Sequence, residues 1–323
     1  MPDRLRLAAA QIAPVWLDRD ATLARVVETI DQAAVSGVEL IAFGETLVPG
    51  YPFWVERTDG ARFDDAFQKD LHAHYVDQAV CLEAGHLAEV CEAARRNAMS
   101  VILGIVERPA DRGDSVYASA VSISSNGTIA ACQRKLMPTH EERLVWATGD
   151  GHGLRTHAVG PFTVGTLNCW ENWMPLARAS LQAQGEDLHV AIWPGSARLT
   201  RDITRFMALE GRSYVLSVSG LMRAEDWPAQ LPHDSRLRQV MGDMPWAPGG
   251  SCLAGPDGRW LIEPVEHESG VYIAEIDARE VRRARRNFDP SGHYSRPDIL
   301  KLQVDRRRQR SAEFDDDPMA ADS

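Results

Sequence analysis

The sequence is poor in lysine, since only Lys69, Lys135 and Lys301 occur among its 35 basic residues. Acidic residues outnumber basic ones, and the formal net charge is −11. An acidic chain of this kind is poorly suited to bind nucleic acid or an anionic membrane surface. We therefore expect neither partner. Lysine differs from arginine in offering a compact ammonium that can exchange a proton, so the single lysine beside Arg134 stands out.

Cysteine pairs and long apolar runs are also missing. The five cysteines are odd in number and show no C-x-x-C spacing, which favours reduced thiols over disulfides or a zinc site. No apolar stretch of the length of a secretion signal or a membrane span precedes the first strand-like segment. These features predict a cytoplasmic protein without a zinc site built from cysteines.

The remaining composition is typical of a globular enzyme-sized chain. Of 323 residues, 44% are hydrophobic and 25% charged, which is enough to form a large core. Strand-like and helix-like segments alternate, and hairpins are mixed among them, so we predict a layered α/β fold with mixed sheets. Residues 1–304 form one domain in this interpretation, and the polar segment 305–323 is a disordered tail.

Local patterns predict individual elements. A first helix is expected to be capped by Asp18 or Asp20 and to end at Gly37. Residues 55–76 are expected to be irregular, and residues 77–97 to form one long helix. The pair Asn126-Gly127 predicts a hairpin turn.

Cys169 lies where an apolar strand-like run, 162–167, meets a predicted helix that begins near Pro175. Backbone N–H groups and the helix dipole at such a turn favour a thiolate and an oxyanion. The alternative is a small apolar cysteine in the core. The polar and aromatic flank of Asn168, Trp170, Glu171 and Asn172 argues against simple core filling. We therefore interpret Cys169 as a nucleophile.

Two further segments carry reactive groups. Glu45 follows the strand-like run 38–43, and Lys135 follows the predicted hairpin, with Glu142 seven residues later. A carboxylate can take a thiol proton, and an ammonium can stabilise negative charge on the substrate. A cysteine–histidine hydrolase remains an alternative, in which the base is one of three histidines that we otherwise interpret as surface residues: His140, His152 and His157.

These segments resemble the three signature blocks of the nitrilase branch of the carbon–nitrogen hydrolase superfamily. The blocks are Phe-Gly-Glu-Thr at 43–46 with Pro-Gly-Tyr-Pro at 49–52, Arg-Lys-Leu-Met-Pro-Thr at 134–139 with Glu-Arg at 142–143, and Leu-Asn-Cys-Trp-Glu-Asn at 167–172. A fourth similar segment is Gly-His-Tyr-Ser-Arg-Pro-Asp at 292–298. The blocks occur in the family's order, and the resemblance spans residues 5 to 300.

The resemblance implies a four-layer α-β-β-α sandwich that assembles through helices into dimers or larger spirals. It implies Cys169 as nucleophile, Glu45 as general base and Lys135 as the oxyanion-stabilising residue. Glu142 matches the family's second glutamate, and Glu141 fits that role less well. The C-terminal part of 1–304 is then an interface segment, and the protein is expected to be a homo-oligomer.

The implied reaction is metal-free hydrolysis of a nitrile to a carboxylic acid and ammonia, through a thioimidate and a thioester on Cys169. An amidase of the same superfamily and a cyanide-degrading relative are alternatives, and a non-catalytic oligomeric scaffold is an alternative of another class. Five tryptophans beside the blocks are expected to bind an apolar nitrile: Trp54, Trp146, Trp170, Trp173 and Trp193.

Overall fold

The computed structural model describes residues 3–228, 231, 233–241 and 246–312. Its strands are β1 (Arg4–Gln11), β2 (Leu40–Phe43), β3 (Ser100–Glu107), β4 (Tyr117–Ile123), β5 (Ile129–Arg134), β6 (His157–Val159), β7 (Phe162–Asn168), β8 (Leu188–Trp193), β9 (Tyr214–Ser219), β10 (Leu221–Met222), β11 (Ala247–Ala254), β12 (Trp260–Glu266) and β13 (Gly270–Asp277). Its helices are α1 (Arg19–Val35), α2 (Trp54–Arg57), α3 (Ala66–Asp77), α4 (Ala88–Arg96), α5 (Pro175–Gln182), α6 (Ala197–Gly211), α7 (Asp234–Met241) and α8 (Ala278–Arg285).

The strands form two mixed sheets. One has six strands in the order β13-β1-β2-β3-β4-β5, and the other has seven, in the order β10-β11-β9-β8-β7-β6 with β12 paired to β11. The strands β1, β2 and β3 are parallel, as are β7, β8 and β9. Antiparallel neighbours complete each sheet, as the mixture of hairpins and helical crossovers predicts.

The two sheets pack face to face because their strands are apolar on both sides. Leu5 and Leu7 of β1 join a core that includes Val190 of β8 and Leu216 of β9, between the sheets. Alternate residues such as Ala8 face the opposite way, toward α1 and α4. This alternation follows from the two-residue period of a strand. Strands covered on both faces read as continuous apolar runs.

Helices cover the outer face of each sheet. Helix α1 packs Leu23, Val26 and Ile30 over the six-stranded sheet, and α6 packs Ile203 and Met207 over the seven-stranded sheet. The layers are therefore α-β-β-α, which confirms the predicted fold. Asp18 caps α1 by accepting a 2.9 Å hydrogen bond from the N–H of Ala21.

Two local predictions were wrong. Residues 78–87 form turns, so the predicted long helix is reduced to α4, because Val80 bonds to the backbone of Val106 and is fixed beside β3. Residues 55–76, expected to be irregular, include most of α3. This helix buries Phe67, Leu71 and Tyr75, a four-residue spacing that its polar composition obscured.

The segment 305–309, assigned to the disordered tail, instead makes ordered contacts with the domain. Arg308 pairs with Asp150 at 2.9 Å, and the side chain of Gln309 donates to the carbonyl oxygen of Gly149. A buried carboxylate therefore holds this segment, which is why its polarity did not produce disorder. Residues 313–323 of the predicted tail lie outside the described residues. Among the helices of the described chain, none combines the length and apolar character needed to cross a membrane.

Candidate active site

The predicted reactive residues follow strands of both sheets. Glu45 comes directly after β2 and Lys135 after β5, in the six-stranded sheet, whereas Cys169 follows β7 in the seven-stranded sheet. The N–H of Glu45 donates to the carbonyl oxygen of Trp193 at the end of β8, at 3.1 Å. The carboxyl ends of parallel strands from the two sheets therefore meet, and this edge is where α/β folds commonly bind ligands.

The side chains form a compact cluster around Lys135. Its Nζ lies 2.8 Å from Oε1 of Glu45 and 2.6 Å from Oε2 of Glu142. Carboxylate oxygens of Glu45 and Glu142 and the Sγ of Cys169 all lie within 4.8 Å of one another. The structure thus brings together all four residues that the sequence singled out.

The cluster is enclosed, since none of the four side chains is more than a few per cent exposed. Two carboxylates and a thiol at this spacing could hold a metal ion. Here the ammonium of Lys135 lies against both carboxylates and supplies the positive charge. The arrangement suits a reaction in which negative charge develops close to the lysine.

Burial sets the protonation of the cluster. It raises the pKa of Glu45 to about 8, against the opposing effect of Lys135. Burial also raises the pKa of Cys169 well above its usual value, and Lys135 only partly offsets this shift. Burial alone would lower the pKa of Lys135, but the neighbouring Cys169, Glu45 and Glu142 together raise it well above its ordinary value.

Burial and the nearby carboxylates therefore favour the neutral thiol of Cys169, against the thiolate that its turn was expected to favour. The helix-terminal N–H groups are outweighed by loss of solvent and by the nearby carboxylates. Oε1 of Glu45 is paired with Lys135, whereas its buried Oε2 has no hydrogen-bond partner among the described residues. Glu45 can accordingly accept the thiol proton when a substrate arrives.

The backbone at Cys169 is left-handed, with φ of 47°. Non-glycine residues avoid this region, and strain of this kind persists where the surrounding structure enforces it. A short 3₁₀ helix, Cys169–Trp173, follows at once and leads into α5, which starts at Pro175 as predicted. The turn projects the thiol toward the cluster.

Glu171 joins the cysteine turn to the lysine loop, a role the sequence did not reveal. Its carboxylate accepts the N–H of Asn168 at 2.8 Å and the N–H of Leu136 at 2.5 Å. Gln133 Nε2 donates to the same carboxylate at 3.2 Å. A side chain that is 1% exposed thus fixes the residues next to Cys169 and Lys135. The sequence indicated only that Glu171 belongs to the polar and aromatic flank of Cys169.

Tyr51 was also missed, although it lies within the first signature block. Its hydroxyl donates to Oε1 of Glu142 at 2.8 Å, and the same oxygen lies 3.1 Å from Oε1 of Glu141. The N–H of Thr139 donates to the other oxygen of Glu142 at 2.6 Å. A cavity beside Glu45 is lined mainly by apolar residues, including Leu47, Tyr51, Phe53, Pro194, Met222 and Ala247.

The five tryptophans occupy three different environments. Trp146 lies with its ring centre 5.4 Å from Nζ of Lys135, and Trp193 packs in the same buried group as Cys169. Trp54 packs edge-on against Tyr75, in an apolar core that also contains Trp146. Two others are half-exposed at the surface: Trp170 and Trp173. Trp146 and Trp193 thus lie nearest the cluster, and a role of the five tryptophans in substrate binding stays a prediction.

The three histidines considered as alternative bases contact other groups or lie elsewhere. His140 is exposed and its ring nitrogen pairs with Glu141 at 2.9 Å. His152 bonds to the carbonyl oxygen of Arg306. His157 lies on β6, at the far edge of the seven-stranded sheet. The geometry favours Glu45 as the partner of Cys169.

Comparison with known proteins agrees with this arrangement. The model of the carbon–nitrogen hydrolase family matches residues 6–286. An aliphatic nitrilase from Rhodococcus rhodochrous is 34% identical, covering 96% of this chain and 82% of its own. A nitrilase from Pseudomonas syringae pv. syringae is 35% identical, covering 94% of this chain and 90% of its own.

The fold has a counterpart among solved structures. A carbon–nitrogen hydrolase from Helicobacter pylori G27 superposes with a TM-score of 0.68 at 18% identity, covering 93% of this chain and 99% of the other. That likeness concerns the sandwich itself, whereas the sequence matches extend through all three signature blocks. The chain belongs to the carbon–nitrogen hydrolase family, in its nitrilase branch.

Proposed function

We propose that this protein is a nitrilase, which converts an organic nitrile and two water molecules to a carboxylic acid and ammonia. The observation that carries the proposal is the buried cluster in which Lys135 lies against two glutamates beside a cysteine thiol. Relatives described as nitrilases support the choice of a nitrile over other carbon–nitrogen bonds.

In the first half of the reaction, Glu45 takes the proton of Cys169 as Sγ bonds to the nitrile carbon. Negative charge develops on the nitrile nitrogen, where Lys135 stabilises it and donates a proton. The product is a thioimidate. Because burial favours the neutral thiol of Cys169, proton transfer to Glu45 accompanies attack.

In the second half, the proton that Glu45 took from the thiol first passes to Lys135, whose Nζ lies 2.8 Å from Oε1 of Glu45, which restores the carboxylate and the ammonium. Glu45 then activates water for addition to the thioimidate carbon. The carbon–nitrogen bond then breaks, ammonia leaves with the transferred protons, and a thioester remains. A second water molecule hydrolyses the thioester, which releases the acid and restores the thiol. Glu142 holds Lys135 in place and keeps its ammonium charged, since it contacts Nζ at 2.6 Å.

The substrate is proposed to be an apolar aliphatic or arylaliphatic nitrile. The cavity beside Glu45 has an apolar and aromatic lining, and Trp146 and Trp193 lie beside the cluster. Relatives of this chain include aliphatic nitrilases and an arylacetonitrilase from Aspergillus kawachii.

The decisive experiment is ammonia release from a panel of an arylacetonitrile, benzonitrile, an aliphatic dinitrile, cyanide and the matching amides. We expect release from an apolar nitrile, and expect Cys169→Ala to abolish it. Release from the amides alone would replace this proposal with an amidase. Nitrile turnover that survives in Cys169→Ala would contradict the covalent mechanism.

We further propose a cytoplasmic homo-oligomer. All five cysteines are free thiols, which suits a reducing compartment. Apolar side chains are exposed on the outer helices α5 and α6, among them Leu176 at 68% and Phe206 at 52% exposure. Exposed apolar groups on one face are typical of a surface that pairs with another protein molecule.

A further inference from the structure

A buried histidine behind the cysteine turn takes no part in the reaction described above. His189 of β8 is 3% exposed. Its Nδ1 lies 2.7 Å from Oε1 of Glu186, and its Nε2 lies 2.7 Å from Oδ1 of Asn172. A charged or polar group so completely enclosed is costly unless its hydrogen bonds are satisfied, so these contacts need a reason.

The contacts of Asn172 fix the direction of the hydrogen bonds that its side chain makes. Its Nδ2 donates to the carbonyl oxygen of Cys169 at 2.8 Å and, more weakly, to that of Leu167 at 3.3 Å. Two carbonyl oxygens can face only the amide nitrogen, so the amide oxygen faces His189. The Nε2 of His189 must therefore carry a hydrogen and donate it.

The other ring nitrogen faces a carboxylate. Because Nε2 of His189 is a donor, Nδ1 and Oε1 of Glu186 share one further proton between them. Both ring nitrogens of His189 and both polar atoms of the Asn172 side chain then have a partner, and such connected networks hold their members rigidly. Arg178 adds to this by donating to the carbonyl oxygen of Asn172 at 2.8 Å.

At its Asn172 end, this hydrogen-bond network holds the peptide group between Cys169 and Trp170. The carbonyl of Cys169 and the N–H of Trp170 belong to one trans peptide and point in opposite directions. Asn172 holds the carbonyl on the inner side, so the N–H is turned toward the thiol. A hydrogen bond from this N–H lowers the pKa of Cys169, against the larger effect of burial.

We propose that Glu186, His189 and Asn172 are positioning residues that aim the Trp170 N–H at the sulfur and at the nitrile nitrogen that becomes negative. The inference rests on the proposed function for its role in turnover. It explains how a non-glycine residue is held at φ of 47° while the same peptide stabilises charge. The three side chains act through the peptide, without touching the substrate.

The test compares Asn172→Asp, His189→Leu, Glu186→Leu and Glu186→Gln, with His157→Gln as a matched change at a partly buried histidine away from the site. Two quantities are measured: nitrile kinetics, and the rate at which iodoacetamide alkylates Cys169, read by peptide mass spectrometry. Alkylation needs no nitrile, so its rate reports the reactivity of the Cys169 thiol even in a variant that has lost nitrile turnover.

We expect Asn172→Asp and His189→Leu to lower kcat by about tenfold to about a hundredfold with little change in KM, since an oriented N–H acts mainly in the transition state. Alkylation should slow in parallel. Glu186→Gln should retain most of the kcat that Glu186→Leu loses, because its amide can donate to Nδ1 of a neutral His189. His157→Gln should match the parent in both assays.

Variants that keep the parental kcat and alkylation rate while unfolding at lower temperature would overturn the inference and leave a purely structural network. If His189→Leu does not fold, Asn172→Asp gives the same test at nearly unchanged volume. If the unsubstituted protein turns over no nitrile, the proposed function is refuted. If Asn172→Asp still slows the alkylation of Cys169 in that case, the positioning role is supported on its own.

Discussion

At the scale of single residues, the pKa of Glu45 connects the enclosure of the site to its chemistry. Burial disfavours the ionised carboxylate, yet the proposed base must be ionised to accept the thiol proton. A carboxylate with a pKa near the working pH is also a stronger base than an ordinary one. Water exclusion therefore gives Glu45 the basicity to deprotonate a thiol whose own pKa is raised.

The pH dependence of kcat/KM should reveal this shift. Glu45 must lose its proton to act, and burial raises its pKa to about 8, so we expect activity to fall as the pH drops below that value. The acid limb should disappear from the residual activity of Glu45→Gln. An acid limb near the ordinary carboxyl pKa of about 4.3 would contradict the assignment.

Lys135 is predicted to be irreplaceable by arginine although the charge is kept. Its Nζ fits between two carboxylates in a site where the residue is 1% exposed, and a planar guanidinium has neither the size nor the ready proton exchange of an ammonium. We expect Lys135→Arg to lower kcat by about a hundredfold or more. Lys301→Arg, at an exposed lysine, is the matched control and should leave kcat unchanged.

At the scale of elements, a glycine lets β3 pass beneath the loop that carries Glu45. A Cβ on Gly104 would overlap the carbonyl oxygen of Gly44 and lie 2.6 Å from the backbone nitrogen of Thr46. The close approach of these two backbones therefore depends on a missing side chain.

Gly104→Ala should accordingly push the Glu45 loop away from Lys135. Small displacements of reacting groups are costly, and we expect kcat to fall by about tenfold or more. Steady-state kinetics would be compared with those of Gly255→Ala, where the added methyl group meets the flexible side chain of Leu261 at 3.2 Å. Equal kcat values for the two variants would show that the loop has room to spare.

The sequence predicted most elements and the four clustered residues because both depend on local signals. The cap at Asp18, the turn at Asn126-Gly127 and the Pro175 helix start are each set by a few neighbouring residues. The hydrogen-bond network behind the Cys169 turn could not be found in this way. His189 and Asn172 are 17 residues apart and meet only because β7 and β8 pair.

The same limit explains the failed predictions. Residues 78–87 carry a helical apolar pattern, but the bond from Val80 to Val106 fixes them beside the sheet. The segment 305–309 has a disordered composition, but Arg308 finds Asp150 far away along the chain. In both cases a tertiary contact outweighs the local preference.

At the scale of the whole molecule, the exposed apolar residues of α5 and α6 predict self-association. We expect Leu176→Glu to reduce the mass found by light scattering, because it places a charge on a face that would be buried between subunits. Val35→Glu introduces the same charge at a still more exposed apolar site on α1 and should leave the mass unchanged. A monomeric parent would refute the proposed oligomer.

The site is shared between two sheets, and this has a consequence for how the enzyme responds to heat. Glu45 and Lys135 belong to one sheet and Cys169 to the other, so their alignment depends on the apolar contacts between the layers. Packed layers can loosen before their hydrogen-bonded strands separate. Turnover should therefore be lost on warming before the circular dichroism of the strands changes, and early inactivation should reverse on cooling.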